Sequence, residues 1–415
     1  MQNLFSKRNT NSKNFVWRSI QLGSRQGIMF FILFISAKLL SAEEFGVYNY
    51  LIAIAFFFTL LADFGISRAV TKFTAQYNTV DKEKIKYIFF NSALIMIGLV
   101  ALFVLLILLF ANVIIGENYP YIYYLIPVFI FLPLTSLFDG IYSGLLKFKT
   151  LSVISLISGL LATLSTYFLV KKLGLVGALL SLDLYYVVSF ILFSSTFKLF
   201  TFKIEKTIIK DVGRYSLIIG ISAVGHFLYA KGITYILGQY NFFTEVGYYE
   251  IIDKVFVMSS FPFIIYGQII APKITGLISV HKYEEVLLRY KKNLYQTFLL
   301  GLLVTLVLWI ILPTAVELFL NNYYSRDFIM IFQLLLFHLP LVLVSGLIAQ
   351  PYIIATGKAK ISLLTLPFGI VNVILGILFI GLFGFIGVIY STLITSITNK
   401  LLTFYLISRG LKKQI

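Results

Sequence analysis

Two arginines lie in the first long apolar stretch of the chain, where a charge needs a specific reason to be present. Arg18 and Arg25 are seven positions apart. On a helix they project within about 20° of each other, and Gln21 lies near the same stripe. Guanidinium groups stay charged when desolvated and match the oxygens of phosphate groups. The pattern predicts that Arg25 binds a phosphate-bearing ligand, with Arg18 nearer the membrane surface. A simpler interpretation of Arg18 is that it only extends its charge toward the headgroups.

Two lysines also lie within apolar stretches: Lys231 in the seventh and Lys254 in the eighth. A cation within a membrane span costs about 2.5–3.5 kcal/mol on insertion scales, so each requires a role. Together with the arginines, the two lysines would give a cationic lining. Lys254 directly follows Asp253, and adjacent helical residues project about 100° apart. An alternative for both residues of this pair is therefore ion pairing with neighbouring helices.

Carboxylates within the apolar stretches are the candidates for binding a coupling ion. A buried carboxylate can carry a proton or a metal cation, because loss of solvent disfavours its charge and a nearby cation favours it. The three candidates are Asp63, Glu250 and Asp253. Asp63 could alternate between Arg25 and a coupling ion, or form a static ion pair with Arg25. Asp139 and Asp183 lie nearer the ends of their stretches and are interpreted as structural.

Membrane-spanning helices must position these residues. The chain has 415 residues, of which 59% are hydrophobic and 12% charged. Soluble domains have about 25% charged residues, and about 20 apolar residues suffice for a helix to cross a bilayer. The sequence therefore predicts an all-α polytopic membrane protein with twelve transmembrane helices, at about 14–40, 45–74, 86–115, 120–145, 151–171, 175–198, 212–238, 245–277, 287–313, 325–356, 360–382 and 385–408.

Basic residues alternate between the predicted loops. The chain has 34 Lys and Arg residues. Most of those that lie outside the spans fall on one side, and only four fall on the other: Lys38, Lys171, Lys172 and Arg326. This bias predicts cytoplasmic termini, and it explains the net charge of +17 without nucleic-acid binding. The absence of cysteine excludes disulfides, thiolate catalysis and Cys-ligated metals.

Short segments recur in the two halves of the chain. Six spans per half give both halves the same orientation, as in parallel transporter repeats. We expect two pseudo-symmetric six-helix bundles, at 1–205 and 206–415, that rock around a central site. The matching segments are Glu44–Tyr48 with Glu245–Tyr249, Lys147–Lys149 with Lys358–Lys360, and Leu173–Gly177 with Phe383–Gly387.

Motifs in the second and eighth predicted spans resemble those of a known family. They are Leu40–Tyr48 and Leu61–Ile66, then Gly247–Tyr249, Asp253–Lys254 and Ala271–Ile274. The chain resembles the O-antigen and capsule repeat-unit flippases, often called Wzx, of the multidrug/oligosaccharidyl-lipid/polysaccharide exporter superfamily. The resemblance covers nearly the whole chain. It implies that undecaprenyl-diphosphate-linked oligosaccharides are moved from the cytoplasmic to the outer leaflet, without enzymatic activity.

The resemblance also implies roles and partners. Arg18 and Arg25 look like counterparts of basic residues on the first helix of lipid II flippases, although those proteins generally have two further helices. The implied partners are the bilayer, the lipid-linked oligosaccharide, and the polysaccharide polymerase with its chain-length machinery. The implied location is the bacterial inner membrane. No cofactor is expected beyond a coupling ion, H⁺ or Na⁺.

Two other functions remain open from the sequence. One is a cation-coupled multidrug antiporter of the same superfamily, for which we would expect an acidic lining. The other is a membrane polysaccharide polymerase or glycosyltransferase. Such an enzyme would be expected to have a large outer loop or a soluble domain with paired acids, and neither is visible in the sequence.

Overall fold

A computed structural model describes residues 2–198, 201–354 and 359–414, which contain helices and no strand. Lys358, part of one predicted repeat segment, lies outside these ranges. The α-helices are α1 (Gln2–Leu39), α2 (Ala42–Asp63), α3 (Ile66–Val80), α4 (Lys84–Ile115), α5 (Tyr119–Ile122), α6 (Ile126–Gly144), α7 (Phe148–Thr196), α8 (Lys206–Gln239), α9 (Phe243–Ser279), α10 (Tyr283–Phe319), α11 (Arg326–Leu336), α12 (Leu339–Ile348), α13 (Thr365–Phe383) and α14 (Phe385–Lys412).

The described helices account for all twelve predicted spans. Within these ranges nine helical stretches are long and apolar enough to cross a membrane, and α11 with α12, bent by 49°, makes a tenth. Two of the nine are long enough for two crossings each. The 61-residue stretch Lys84–Gly144 is interrupted by short turns between α4 and α6, and the 49-residue α7 is kinked at Gly174. The predicted all-α polytopic fold is confirmed.

The second predicted span differs from the structure. A continuous helix was expected over 45–74, but α2 ends at Asp63 and α3 begins at Ile66. Phe64 and Gly65 both adopt left-handed backbone conformations, with φ of 36° and 81°. The break places the backbone of Gly65 against α8, where a Cβ atom would lie 2.9 Å from the Ser216 carbonyl oxygen. Close contact with α8 therefore explains a glycine that interrupts an apolar helix.

The segments Leu173–Gly177 and Phe383–Gly387 have the same local geometry. Gly174 and Gly384, 210 positions apart, have left-handed φ values of 55° and 62°. Three residues later, each segment has a glycine with no room for a side chain. A Cβ at Gly177 would lie 2.1 Å from the Leu169 carbonyl oxygen, and one at Gly387 would lie 2.2 Å from that of Phe379. Each segment thus joins two helices through a single glycine turn.

Contacts divide the chain into two compact units, 1–224 and 225–415. The division falls within α8, whereas the sequence predicts a boundary at 205/206. The first part of α8 belongs to the first unit because it packs there: a Cβ at Gly220 would lie 2.7 Å from the Phe64 carbonyl oxygen, and the Tyr215 ring lies 6.1 Å from that of Phe73. The assignment of six helices to each bundle stays a prediction.

Each unit has its own apolar core and an apolar surface. The core of the first unit includes Ile88, Met96 and Ile141, and that of the second includes Tyr290, Val344 and Ile407. Many large apolar side chains are exposed instead, among them these on α4 and α10: Leu105, Leu109, Val113, Leu303, Leu306 and Ile310. Exposing such large apolar surfaces to water is unfavourable, so the exposed faces of these helices suit a hydrocarbon environment.

Candidate functional site

A chain of polar contacts connects Arg18 of α1 to Asp139 of α6. Arg18 donates a 2.5 Å hydrogen bond to Gln21. Gln21, which is 3% exposed, donates a 2.8 Å hydrogen bond to Asp139. The Arg18 guanidinium also lies 5.4 Å from the centre of the Phe148 ring. These contacts fix the orientation of Arg18, so a role limited to the headgroup region does not account for them. Asp139 connects α6 to α1 through this hydrogen bond, and its structural role stays a prediction.

Arg25 lies deeper in the same span and keeps solvent-accessible surface. It is nine residues past Val16, where the span begins, which is about 14 Å along a helix. It donates a hydrogen bond to the hydroxyl of Tyr186 and lies near Tyr185, both on α7. Asp139 contributes to its electrostatic surroundings. No carboxylate forms an ion pair with Arg25 among the described residues. Arg25 is thus an exposed residue whose guanidinium contacts a tyrosine hydroxyl and no ion-pairing carboxylate among the described residues, so it is available to an anion.

Asp63 does not pair with Arg25 in this structure. One carboxylate oxygen of Asp63 accepts a 2.8 Å hydrogen bond from the backbone N–H of Ser67, and the other accepts a 2.7 Å bond from the Ser67 hydroxyl. The break at Phe64 and Gly65 turns α3 so that Ser67 reaches Asp63. The carboxylate thus stabilises the first turn of α3. The expected static Asp63–Arg25 pair is replaced by this local cap, and ion coupling by Asp63 stays a hypothesis.

A second cluster joins α8 to α9 within residues 225–415. The Lys231 ammonium donates 2.8 Å hydrogen bonds to both carboxylate oxygens of Glu250 and lies 3.5 Å from an oxygen of Asp253. The hydroxyl of Thr234 donates a 2.6 Å bond to Glu250. The Glu250 side chain is only 3% exposed, against 21% for Lys231 and 26% for Asp253. We call Lys231, Thr234, Glu250 and Asp253 the α8–α9 ion cluster.

The α8–α9 ion cluster changes the expected role of Lys231. Two carboxylates face one lysine, so the positive charge of Lys231 is already compensated. Lys254 is half-buried and near enough to Glu250 to interact with it electrostatically. The alternative of interhelical pairing holds for Asp253, which contacts α8. Lys231, Lys254, Glu250 and Asp253 together carry no net charge, which is a poor basis for attracting an anion.

Lys400 of α14 is a cation within a predicted span that was not among the candidate ligands predicted from the sequence. Its ammonium group donates a 2.9 Å hydrogen bond to the hydroxyl of Tyr229 and a short one to Ser396. It is half-buried, and it forms no ion pair within the described ranges. Its position in an apolar helix without an acidic neighbour was the available signal. Among the described residues of this unit, Lys400 thus lacks an ion pair, whereas Lys231 has two acidic partners.

Asn372 of α13 forms the other dense polar contact of the second unit. Its side-chain oxygen accepts hydrogen bonds of 3.1–3.2 Å from the hydroxyls of Ser391, Thr392 and Thr395 on α14. Asn372 is 1% exposed. The three hydroxyls of α14 converge on one amide oxygen of α13, and these contacts tie the two helices together. Across the parts of the chain that the structure describes, no cluster of three or more His, Cys, Asp or Glu residues could hold a metal ion.

Comparison with known proteins identifies the family. A sequence profile described as polysaccharide biosynthesis protein matches residues 12–278, more than half of the chain. The chain belongs to this family. The match covers α1, with Arg18 and Arg25, and nearly all of α9, and it confirms the resemblance seen in the sequence. The chain is also 26% identical to an uncharacterized membrane protein of Methanocaldococcus jannaschii, across 94% of this chain and 96% of that protein.

Solved structures of two membrane transporters have the same fold as this chain. A multidrug resistance MATE family transporter of the MOP superfamily, in an inward-facing conformation, matches 95% of this chain and 99% of its own, with a TM-score of 0.78 and 15% identity. The lipid II flippase MurJ, in an inward closed conformation, matches 96% of this chain and 90% of its own, with a TM-score of 0.71 and 18% identity. Both support the predicted membrane-transporter architecture.

Proposed function

We propose that this protein is a flippase that moves undecaprenyl-diphosphate-linked oligosaccharide repeat units from the cytoplasmic to the outer leaflet by alternating access. The observation that carries the proposal is Arg25, an exposed arginine within a membrane span that forms no ion pair with a carboxylate among the described residues. Such a charge is costly unless it serves an anion. A diphosphate headgroup offers pairs of oxygens that can accept the two parallel N–H bonds of a guanidinium.

The balance of charge in each unit supports an anionic headgroup. In the first unit, Arg18 and Arg25 exceed the single nearby carboxylate of Asp139. In the second, the α8–α9 ion cluster and Lys254 balance one another, and Lys400 adds one positive charge. The groups linked to Arg18 and Arg25 thus carry one net positive charge, and Lys400 adds one among the described polar groups of the second unit. We propose Arg18 and Arg25 of the first unit as headgroup ligands. Within the second unit, Lys400 is a further candidate ligand, and Lys231 and Lys254 stay candidates whose charges Glu250 and Asp253 balance.

A multidrug antiporter is the second candidate, because the MATE family transporter has the higher TM-score of the two folds compared. A site for organic cations would need excess negative charge, whereas the groups linked to Arg18 and Arg25 have more positive than negative charge, and Lys400 has no ion pair among the described residues. The polymerase alternative would require a group of catalytic acids. Glu250 and Asp253, the two candidate acids of the second unit, are instead engaged with Lys231 and Thr234. The flippase therefore fits the side chains best.

The proposed setting follows the loop charges. The excess of Lys and Arg on one side of the spans favours cytoplasmic termini and an inner-membrane location. We also propose that an H⁺ or Na⁺ gradient drives transport, with Asp63, Glu250 and Asp253 as candidate ion-coupling residues. The polymerase and the chain-length machinery are the partners that would consume the translocated product.

The sidedness of accumulated lipid-linked repeat units tests the function. The gene is deleted in its own host, and oligosaccharide exposure is measured in right-side-out and inverted membrane vesicles with a membrane-impermeant oxidant. We expect repeat units to accumulate on the cytoplasmic face. Accumulation on the outer face would indicate a polymerase defect, and normal surface polysaccharide combined with lost efflux of organic cations would indicate a drug antiporter.

The role of Arg25 is tested by binding. The purified full chain is titrated with farnesyl diphosphate, a short isoprenyl diphosphate, and compared with Arg25→Ala and with Lys171→Ala, an exposed cation outside the proposed site. Loss of one charge-assisted contact of about 1.5–3 kcal/mol should weaken binding by about 10- to 150-fold in Arg25→Ala only. Equal affinity in Arg25→Ala and the wild type at equal thermal stability would remove this residue from the proposed headgroup site.

A further inference from the structure

Asp183 is a buried carboxyl group that the proposed headgroup site does not use. It lies in α7, after the kink at Gly174, and is only 5% exposed. Neither of its side-chain oxygens has a hydrogen-bond partner of normal geometry among the described residues. The sequence reasoning treated Asp183 as structural, but a structural carboxylate should bind donors, as Asp63 binds Ser67 and Asp139 binds Gln21.

The groups that face Asp183 do not compensate a negative charge. Tyr48 of α2 is close enough to interact with it, but its hydroxyl is already hydrogen-bonded to Ser36. From α6, the backbone N–H of Val128 points toward it without reaching normal hydrogen-bond geometry. On α7 itself, the nearby Tyr186 accepts a bond from Arg25. No Lys, Arg or His among the described residues contributes to the surroundings of Asp183.

An ionised carboxylate in these surroundings would be strongly disfavoured. Moving an isolated charge from water to an apolar interior costs far more than folding can supply, so such a group becomes neutral by binding a proton. A metal cation is a poorer fit, because hard cations need several converging oxygen ligands. The nearest polar groups here are one occupied hydroxyl and one N–H.

We propose that Asp183 is a proton-binding site and carries a neutral carboxylic acid in this conformation. When a rearrangement of α7 relative to α6 admits water, the carboxyl O–H bond breaks, the electron pair stays on the carboxylate, and the proton passes to water. Return to the present packing requires the same proton to bind again. The use of this cycle to drive transport rests on the proposed flippase function, whereas protonation itself does not.

Infrared spectroscopy of the purified full chain tests the proposal without a transport measurement. Spectra are compared before and after a step from neutral to alkaline pH, in H₂O and D₂O, for the wild type, Asp183→Asn and Glu117→Gln. Glu117 is an exposed acid and serves as the matched control. We expect the C=O stretching band of a protonated buried carboxyl group in the wild type and in Glu117→Gln, with a deuterium shift, and its loss in Asp183→Asn.

A band that persists in Asp183→Asn, or that is absent from the wild type at neutral pH, would overturn the proposal. If the asparagine variant does not fold, wild-type protein labelled with ¹³C at the aspartate carboxyl carbon replaces it, and the band must shift. A band removed by NaCl at constant pH, but not by choline chloride, would show a sodium site and would also overturn it. The band is measured on purified protein without transport. The result therefore tests protonation of Asp183 even if a flippase assay fails.

Discussion

Replacing Lys231 with methionine removes the cation that, among the described residues, contacts both acids of the α8–α9 ion cluster. Glu250, with a side chain 3% exposed, would keep the Thr234 hydroxyl but lose its direct counter-ion. Removing one partner of a buried ion pair costs about 3–5 kcal/mol, because the remaining charge is buried without compensation. The more distant Lys254 offsets part of this loss, and the charge of Asp253 adds to it.

The measurement is thermal unfolding in detergent, followed by tryptophan fluorescence. The chain has two tryptophans. In a Trp17→Phe background only Trp309 of α10 remains, so the signal reports on residues 225–415, which contain the cluster. For a unit of this size about 1 kcal/mol corresponds to a change of roughly 2–4 °C, so Lys231→Met should lower the Tm by about 6–20 °C. Lys254→Met, which lacks a direct ion pair, should lower it less.

The double variant Lys231→Met/Glu250→Gln separates pairing from packing. Removing both charges avoids an uncompensated carboxylate, so this variant should be more stable than Lys231→Met alone by about 2 kcal/mol or more. Two results would refute the reasoning. One is a Tm for Lys231→Met equal to that of the parent protein, and the other is a double variant whose loss equals the sum of the two single losses.

Three further changes test local features by thermal unfolding, with Trp17 as the reporter in a Trp309→Phe background for the changes within 1–224 and with Trp309 as the reporter for Asn372→Leu. Gly174→Ala forces a residue with a side chain into a left-handed backbone conformation and should cost about 1–3 kcal/mol of stability. Gly98→Ala, in open space on α4, should be neutral or slightly stabilising, and equal effects of the two changes would contradict the backbone argument. Ser41→Ala removes the capping box that Ser41 forms with Glu44 at the start of α2 and should cost about 1 kcal/mol; an unchanged Tm would show that the cap is dispensable. Asn372→Leu leaves the buried Thr392 hydroxyl without the acceptor it has here, whereas Ser391 and Thr395 keep backbone acceptors, so it should cost about 1–3 kcal/mol, with faster amide exchange in α13; unchanged exchange would argue that Asn372 does not tie the two helices together.

Hydropathy and charge predict most of the fold, because they act over whole helices. The twelve spans follow from apolar length, and the paired glycines at Gly174 and Gly384 follow from matching segments in the two halves. The break after Asp63 is harder to predict, because Gly65 turns only where α8 approaches it. A sequence does not show which distant helix will make that approach. The same limit applies to boundaries between units, since α8 contributes to both.

Side-chain roles within the spans are less predictable than the spans themselves. The types of Lys231 and Glu250 were informative, but 19 positions and a helix boundary separate them, so their pairing depends on the packing of α8 against α9. Lys400 and Asp183 show the opposite problem. Each is significant because it lacks an ionic partner among the described residues, and such a feature is visible only once the neighbours of each side chain are known.

The glycine turn at Gly384 also bears on how the protein is made. It joins α13 directly to α14, so this helical hairpin has no polar loop to be carried across the membrane during synthesis. No charged residue lies between Leu363 and Thr398. The hydrogen bonds from the α14 hydroxyls to Asn372 are made within the helix pair. The two helices can therefore leave the translocon together as one insertion unit. The equivalent turn at Gly174 follows Lys171 and Lys172, and insertion of that hairpin must also transfer two charges.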